Sequence, residues 1–340
     1  MSDETFKSGK LPPLFLEELL ASNRINDPRV LLGPRVGRDV AVIDMGGGNC
    51  LVATADPITF ATERIGRYAV QVNANDIATA GAQPKWFLAT VLLPEKGTSS
   101  EMVEEIYADL VDSCRVLEIE LIGGHTEITA GLDRPIIAGQ MLGEVSKADL
   151  VQPDGARPGD VVLLTKRIAI EGTAILGMEF AMDLANATEI RFPYTCAEFL
   201  EEPGIGVLHD ARIACEAGDV HAMHDPTEGG LATGLWELSH ASGCGLRILE
   251  ERIPVYPETR RVCDVFGLDP LGMIASGSLL IVAPPSSAGA ICSELQKAGI
   301  ECAPIGEVLA QGAGCRLLTP EGETDLPAFE RDEIARLYEE

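Results

Sequence analysis

The chain has 340 residues, with 53 acidic and 26 basic side chains and a formal net charge of −27. A surplus of this size repels phosphate backbones and anionic lipid at long range, and no basic patch interrupts it, so nucleic acid and membrane surfaces are poor partners. Hydrophobic residues at 46% and charged residues at 23% are those of a chain that folds, and a length beyond the usual reach of one core predicts two domains.

The stretch from Met1 to Lys10 is polar and lacks the apolar centre of a signal peptide, which predicts a cytoplasmic protein. The longest uncharged stretch, Pro270 to Ser293, is interrupted by Gly272, Gly277, Pro284 and Pro285, and reads as strand, turn and helix rather than a membrane span. The nine cysteines form no C-x-x-C pair, a spacing that predicts buried reduced thiols rather than a disulfide framework or a zinc site.

In chain order, an amphipathic helix over Pro13 to Ala21 leads through a Gly/Pro/Arg loop to Gly37. Two apolar runs, Asp39–Asp44 and Cys50–Asp56, flank Gly46-Gly47-Gly48-Asn49, a strong hairpin signal. A helix follows from Arg64 to Gly81, then a strand over Lys85–Leu93 and a helix over Ser100–Val116 whose face is Val103, Ile106, Leu110 and Cys114. Strands Glu120–Gly123 and Ile136–Val145 complete an α+β domain. The turn-rich Gln152–Asp160 segment predicts a boundary between a domain of residues 1–152 and one of 153–340. Beyond it come strand Val161–Thr165, a helix from near Gly172, a short helix around Cys196–Glu201, and helices Gly206–Ala217 and Leu231–Ser242. Strand Leu246–Ile248, helix Pro257–Phe266, strand Ser278–Val282, helix Ser286–Ala298 and strands Ile305–Leu309 and Arg316–Leu318 follow.

Phosphate-loop, dinucleotide and nucleophile-elbow signatures are missing. The residues that carry chemistry stand instead at strand and helix ends. Asp39 opens the hairpin and Asp56 closes it, a way for distant carboxylates to converge on a hard cation such as Mg²⁺; both also suit turn caps. Asn73, Asn75 and Asp76 interrupt an apolar helix and need partners, which a metal or ligand would supply. In Leu121-Ile122-Gly123-Gly124-His125-Thr126-Glu127 a strand ends in two glycines that let a ligand approach, or in a plain turn. In His224-Asp225-Pro226-Thr227-Glu228-Gly229-Gly230-Leu231-Ala232 an acid and a threonine precede a helix whose start offers N–H groups to an anion, or is simply capped. Lys166, Arg191 and Arg212 read as solvated surface rather than anion contacts.

Taken in this order, the five segments resemble those of the superfamily of aminoimidazole ribonucleotide (AIR) synthase, thiamine-monophosphate kinase, selenophosphate synthetase and the hydrogenase maturation factor HypE, over about Leu14 to Leu318. Asp39 looks like its Gly-Asp-(Asp/Gly)-Ala motif, Thr54–Asp56 like its Thr/Ser-x-Asp strand, Asn75-Asp76 like its Asn/Ser-Asp pair, and Gly123–Glu127 like its Gly-Gly-(Asp/Glu)-Thr turn. Arg157-Pro158-Gly159-Asp160 looks like the start of its second domain, and Asp225 to Ala232 is closest to HypE.

The resemblance implies a two-domain AIR synthase (PurM)-like fold of mixed α/β, class α+β. Its first domains pair in a homodimer as a barrel, its C-terminal domain is an α/β sandwich, and ATP lies near the interface. It implies Mg²⁺ on Asp39, Asp56, Asp76 and Glu127, and nucleotide contacts from Asn75, Gly123, Gly124, Thr126, Gly229 and Gly230. Asp225 and Thr227 would face the transferred phosphoryl group or substrate, while His125, a departure from the family, reads equally as a proton carrier or as a hydrogen-bonded turn residue. The activity implied is ATP-dependent activation of an amide, carbonyl or phosphate oxygen of a small molecule or protein residue, with a metalloenzyme maturation protein as partner. His125 stands where relatives carry Asp or Glu, Glu228 replaces a basic residue common in HypE, and the chain ends Ala335-Arg-Leu-Tyr-Glu-Glu340 where HypE ends Pro-Arg-Ile-Cys, so a separate acceptor is expected. A non-catalytic nucleotide-binding paralogue is the alternative. A thiamine-monophosphate kinase is disfavoured, since that enzyme reads Asp-Ile-Ser-Asp-Gly-Leu at the second-domain motif.

Overall fold

A computed structural model describes residue 6 and residues 9–338. Contacts divide the chain into two compact units, one of Asp27–Gly33 and Asp39–Leu150, the other of the described residues of Met1–Asn26 with Pro34–Arg38 and Val151–Glu340. The opening segment therefore packs with the second half of the chain. Helix α1 (Pro13–Ala21) reaches the helix Gly230–Ser242 through Glu17 Oε1 and His240 Nε2 at 3.3 Å, and Arg38 bonds Asp154 at 3.5 Å. Gly37, at φ 78°, meets the same helix so closely that a Cβ would collide with the Glu237 carbonyl.

In the first unit, β1 (Val30–Leu32), β2 (Ala41–Gly46), β3 (Asn49–Thr54) and β4 (Pro57–Ile58) precede α2 (Ile65–Thr79), β5 (Gln83–Pro94), α3 (Ser100–Val116), β6 (Glu120–Thr129) and β7 (Ile136–Ser146). The hairpin between β2 and β3 closes on Gly46 opposite Asn49, with Gly46, Gly47 and Gly48 all at positive φ, as the glycine run predicts. Ser99 caps α3 by accepting from Met102 N at 3.2 Å, and Ile106, Leu110 and Cys114 form its buried face. The sheet runs β1-β2-β3-β7-β5-β6, with β4 on β7, and α2 packs on it through β7, β5 and β3.

The largest departure from expectation is β6. It does not end at Gly123 but continues to Thr129, paired in parallel with β5 along its length, and most of its residues are exposed rather than buried. Gly124 serves the neighbouring strand: a Cβ there would run into the Ala89 backbone opposite.

The second unit adds β8 (Val161–Thr165), α4 (Ile170–Glu179), α5 (Ala181–Ala187), α6 (Phe192–Ala197), α7 (Leu208–Ala217), β9 (Ala222–His224) and α8 (Gly230–Ser242). Then come β10 (Cys244–Leu249), α9 (Pro257–Phe266), β11 (Leu280–Ala283), α10 (Pro285–Lys297), β12 (Cys302–Gln311), β13 (Cys315–Thr319) and β14 (Gly322–Asp325). The sheet order is β14-β13-β10-β12-β8-β11-β9, with β10 and β13 parallel and the other pairs antiparallel. Its central strands are apolar on both faces: Val162, Leu163 and Leu164 of β8 and Leu280, Ile281 and Val282 of β11 are fully buried. The mixed α/β architecture agrees with the class read from the sequence. All nine cysteines are free; Cys50, Cys114, Cys196, Cys244 and Cys263 are buried, while Cys215, Cys292, Cys302 and Cys315 are partly exposed. No described helix is long and apolar enough to cross a membrane.

Candidate functional site

In the first unit the hairpin and α2 tie Asp39, Asp56 and Asp76 into one hydrogen-bonded network. The Thr54 hydroxyl, at the end of β3, lies 2.9 Å from the Asp39 carbonyl and 2.6 Å from Asp76 Oδ2. Asn73, one turn before Asp76 in α2, accepts from Asp56 N at 3.0 Å and donates to Asp56 O at 3.2 Å and Ala69 O at 2.8 Å. Asp56 O also takes the Gly139 N–H at 2.9 Å. Asp39 and Asp56 are thus held through their backbones, and Asp76 through its own carboxylate oxygen. Asp76 is 4% exposed, and Asn73 and Asn75 are fully buried. Buried polar groups on an apolar helix are tolerated when satisfied, and Asn73 is satisfied by the strand end. Thr54 and Asn73 belong to motifs visible in the sequence, but their bracing role is a tertiary contact between β3 and α2. A set of hard, anionic oxygens suits Mg²⁺ better than a soft metal.

The β6 residues are arranged differently. His125 Nε2 lies 3.2 Å from Glu127 Oε2, and Thr129 Oγ1 donates to Glu127 Oε1 at 2.9 Å, so both oxygens of Glu127 are engaged along its own exposed strand. These two bonds, Thr129 first, hold the Glu127 carboxyl below its ordinary value. Strand alternation puts Thr126 on the face opposite His125 and Glu127, so the nucleotide and metal roles expected of this segment fall on different faces.

In the second unit, β9 ends at His224, and Asp225 to Gly229 turn into α8. His224 and Asp225 are buried. Gly229 and Gly230 have φ of 81° and 67°. The start of α8 differs from the open anion site expected: Gly229 N donates to Asp332 Oδ2 at 2.7 Å, Gly230 N to Thr227 O at 3.0 Å, and Ala232 N to Leu271 O at 3.0 Å. A Cβ on Gly230 would strike the Leu271 carbonyl, and one on Gly229 the Thr233 side chain, so close packing explains both glycines without a ligand. Asp332, a hundred residues along the chain, is the helix cap, and its Oδ1 also accepts from Ile334 N at 2.9 Å. Burial raises its carboxyl to about 6 against the pull of these N–H donors. Nothing local in the sequence marks this partner.

Around the turn, His224 Nε2 lies 3.0 Å from Oε2 of Glu237, two turns into α8. Lys10 Nζ lies 3.2 Å from Thr227 Oγ1, 3.4 Å from Glu237 Oε1 and 3.9 Å from Glu228 Oε2. Burial opposes ionisation of Glu237, but Lys10 and His224 outweigh it and hold the carboxyl down at about 2. Ala275 N donates to Thr227 O at 3.3 Å, and next to it Ser276 is buried with no hydrogen-bond partner for its hydroxyl among the described residues. Lys166 corrects the reading of a solvated cation: it is buried, with Nζ 2.6 Å from Gly206 O, 2.9 Å from Gly277 O and 3.4 Å from Asp210 Oδ1. Arg191 and Arg212 are exposed, as expected.

Residues 37–145 match the N-terminal domain, and residues 157–315 the C-terminal domain, of the AIR synthase related protein family. The carbamoyl dehydratase HypE of Cupriavidus necator is 31% identical over 289 residues, which cover 82% of this chain and 78% of that protein. Among solved structures, the hydrogenase maturation protein HypE in complex with ATP aligns at a TM-score of 0.71 and 24% identity over 91% of this chain and 92% of its own. HypE in a HypE–HypF complex aligns at a TM-score of 0.72 and 22% identity, covering 93% of this chain and 99% of its own.

Proposed function

We propose that this chain, which belongs to the AIR synthase related protein family and is similar to carbamoyl dehydratases, is an ATP- and Mg²⁺-dependent enzyme that activates an amide or carbonyl oxygen by phosphoryl transfer, acting in metallocentre maturation. What supports this reading is the network in which Thr54 joins the Asp39 carbonyl to the Asp76 carboxylate and Asn73 holds the backbone of Asp56, in a chain without a phosphate loop. In this reading the three carboxylates hold Mg²⁺, which supplies charge neutralisation to the triphosphate, and Asn75 orients a phosphate oxygen. Asp225 and Thr227 face the transferred group, and His125, steadied by Glu127, is the proton carrier. The acceptor oxygen bonds to the γ-phosphorus as the β–γ bridging oxygen leaves with its electron pair on ADP. With an amide acceptor, loss of the two N–H protons and of inorganic phosphate then leaves a nitrile.

The test is a thermal melt with ATP, Mg²⁺ or both. Nucleotide and metal together raise Tm by several degrees where each alone does not, since a ligand at a hundred times its Kd adds about 2.7 kcal/mol. Absence of any shift with both would defeat the reading.

The same reading takes the protein to be a cytoplasmic homodimer with a maturation protein as partner; HypE itself has been solved in complex with HypF. The dimer is supported by β6, an edge strand exposed along most of its length, with Ile122 at 54% and Ile128 at 56%. Long exposed edges with apolar side chains pair with another strand. Ile122→Lys with Ile128→Lys should convert a dimer to a monomer in sedimentation, whereas a monomeric parent would exclude this surface.

A further inference from the structure

We infer that Cys292 and Cys302 form a peroxide-sensitive thiol pair, a site at which this chain is oxidised to one reversible disulfide between α10 and β12. Neither residue belongs to the phosphoryl-transfer site. The fold brings the two together. In the antiparallel pairing of β12 with β8, Cys302 stands directly opposite Thr165, and residues so placed share a face of the sheet. The Thr165 hydroxyl donates to Asp210 Oδ1 of α7 at 2.7 Å, so Cys302 lies on the face that α7 and α10 cover. Within α10, Ala288, Ile291 and Leu295 are on the buried side, and Cys292 stands between them, one turn after Ala288. The chain turns back at once: Ile300 N donates to Leu295 O at 2.9 Å and Lys166 N to Glu301 O at 2.7 Å, which sets Cys302 at the head of β12 beneath the helix.

At their meeting point the two thiols hydrogen-bond each other. Both are partly exposed, so a small oxidant reaches them. Sulfurs in such contact already meet the main geometric demand of a disulfide, side chains directed at one another across a short gap. The hydrogen bond also divides the roles. Accepting the Cys302 S–H lowers the Cys292 thiol, although burial opposes it, and the same bond together with burial raises Cys302. Cys292 is therefore the sulfur that attacks, since the thiolate is the nucleophile, and Cys302 is the one that resolves the product. Cys315, also partly exposed, differs: burial raises its thiol, and its side-chain partner is Ser239.

Hydrogen peroxide is the oxidant. Ionised Cys292 attacks one peroxide oxygen; an S–O bond forms, the O–O bond breaks, and hydroxide leaves with the electron pair and takes up the proton that Cys292 released. The Cys302 sulfur then attacks the sulfenic sulfur, the S–O bond breaks, and the oxygen leaves as water with the Cys302 proton. Two thiols and one peroxide become one disulfide and two waters, and a dithiol reductant reverses the change.

The test treats the reduced full chain and its Cys292→Ser and Cys302→Ser variants with hydrogen peroxide, blocks the remaining thiols in denaturant, and maps the products by mass spectrometry. The parent should become lighter by two hydrogens, yield a Cys292–Cys302 cross-linked peptide, and return to its reduced mass with dithiothreitol. Cys302→Ser has no resolving thiol and should accumulate sulfenic acid on Cys292, trapped by dimedone. In Cys292→Ser the oxidation of Cys302 should be slower than that of Cys292 in the parent by about tenfold or more. The parent's cross-link does not depend on the folding of either variant. A parent whose Cys292 and Cys302 both remain open to alkylation, or in which either pairs with a different cysteine, overturns the inference. Sulfenic acid on Cys302 of Cys292→Ser, with none on Cys292 of Cys302→Ser, overturns the assignment of the attacking sulfur.

Discussion

Asp76→Asn should reduce Mg²⁺-dependent ADP release by about a hundredfold or more while leaving the fold intact. The substitution is nearly isosteric, and the amide oxygen still accepts from the Thr54 hydroxyl that lies 2.6 Å from Oδ2. What it removes is a charge from a group only 4% exposed, and relieving a buried charge costs the fold little. The loss should therefore fall on metal-bound phosphate, and it should appear as a higher Mg²⁺ requirement before it appears as a lower melting temperature. Thr54→Val separates bracing from charge. It removes the hydroxyl that ties Asp76 to the Asp39 carbonyl but keeps all three carboxylates, and a loss of about tenfold is expected from misplacement alone. ADP release titrated with Mg²⁺ in the three proteins decides the matter: a rate in Asp76→Asn equal to the parent's would remove the acidic cluster from the mechanism.

The parts of this cluster legible in the sequence are those where a local rule applies. The glycine run between β2 and β3 permits one tight hairpin, so Asp39 and Asp56 had to approach each other, and Asn73, Asn75 and Asp76 stood out because their helix is otherwise apolar. The same reasoning failed where glycine had two uses. At Gly123–Gly124 the freedom allows β6 to lie against β5 and continue, and at Gly229–Gly230 it admits the backbone of residues 271–273 and the Asp332 carboxylate. A glycine pair signals close approach, but the partner comes from distant sequence and leaves no periodicity to read. Lys10 and Asp332 are the extreme cases, since they stand 217 and 103 residues from the turn atoms they bond.

Asp332 yields the second large effect. Asp332→Ala leaves the N–H groups of Gly229 and Ile334 without their acceptor, and an unsatisfied buried donor costs about 1–3 kcal/mol. The turn that carries Thr227 should loosen, with ATP turnover falling by about tenfold or more as its groups lose their positions. Acid supplies a signature that general unfolding would not. Burial, assisted by the neighbouring Glu228 charge, raises the Asp332 carboxyl from 3.8 to about 6, although the N–H groups of Gly229, Ile334 and Ile274 pull the other way. A carboxyl whose folded value is raised favours the fold in its protonated form, so that contribution is complete below 3.8 and is lost as pH rises through about 6. Asparagine at this position does not titrate. Lowering the pH from 7.5 to 5.0 should therefore stabilise the parent relative to Asp332→Asn by about 1.4 kcal/mol in urea unfolding. A difference that stays constant over that range would mean that Asp332 is ionised in the fold throughout, with its N–H partners outweighing its burial.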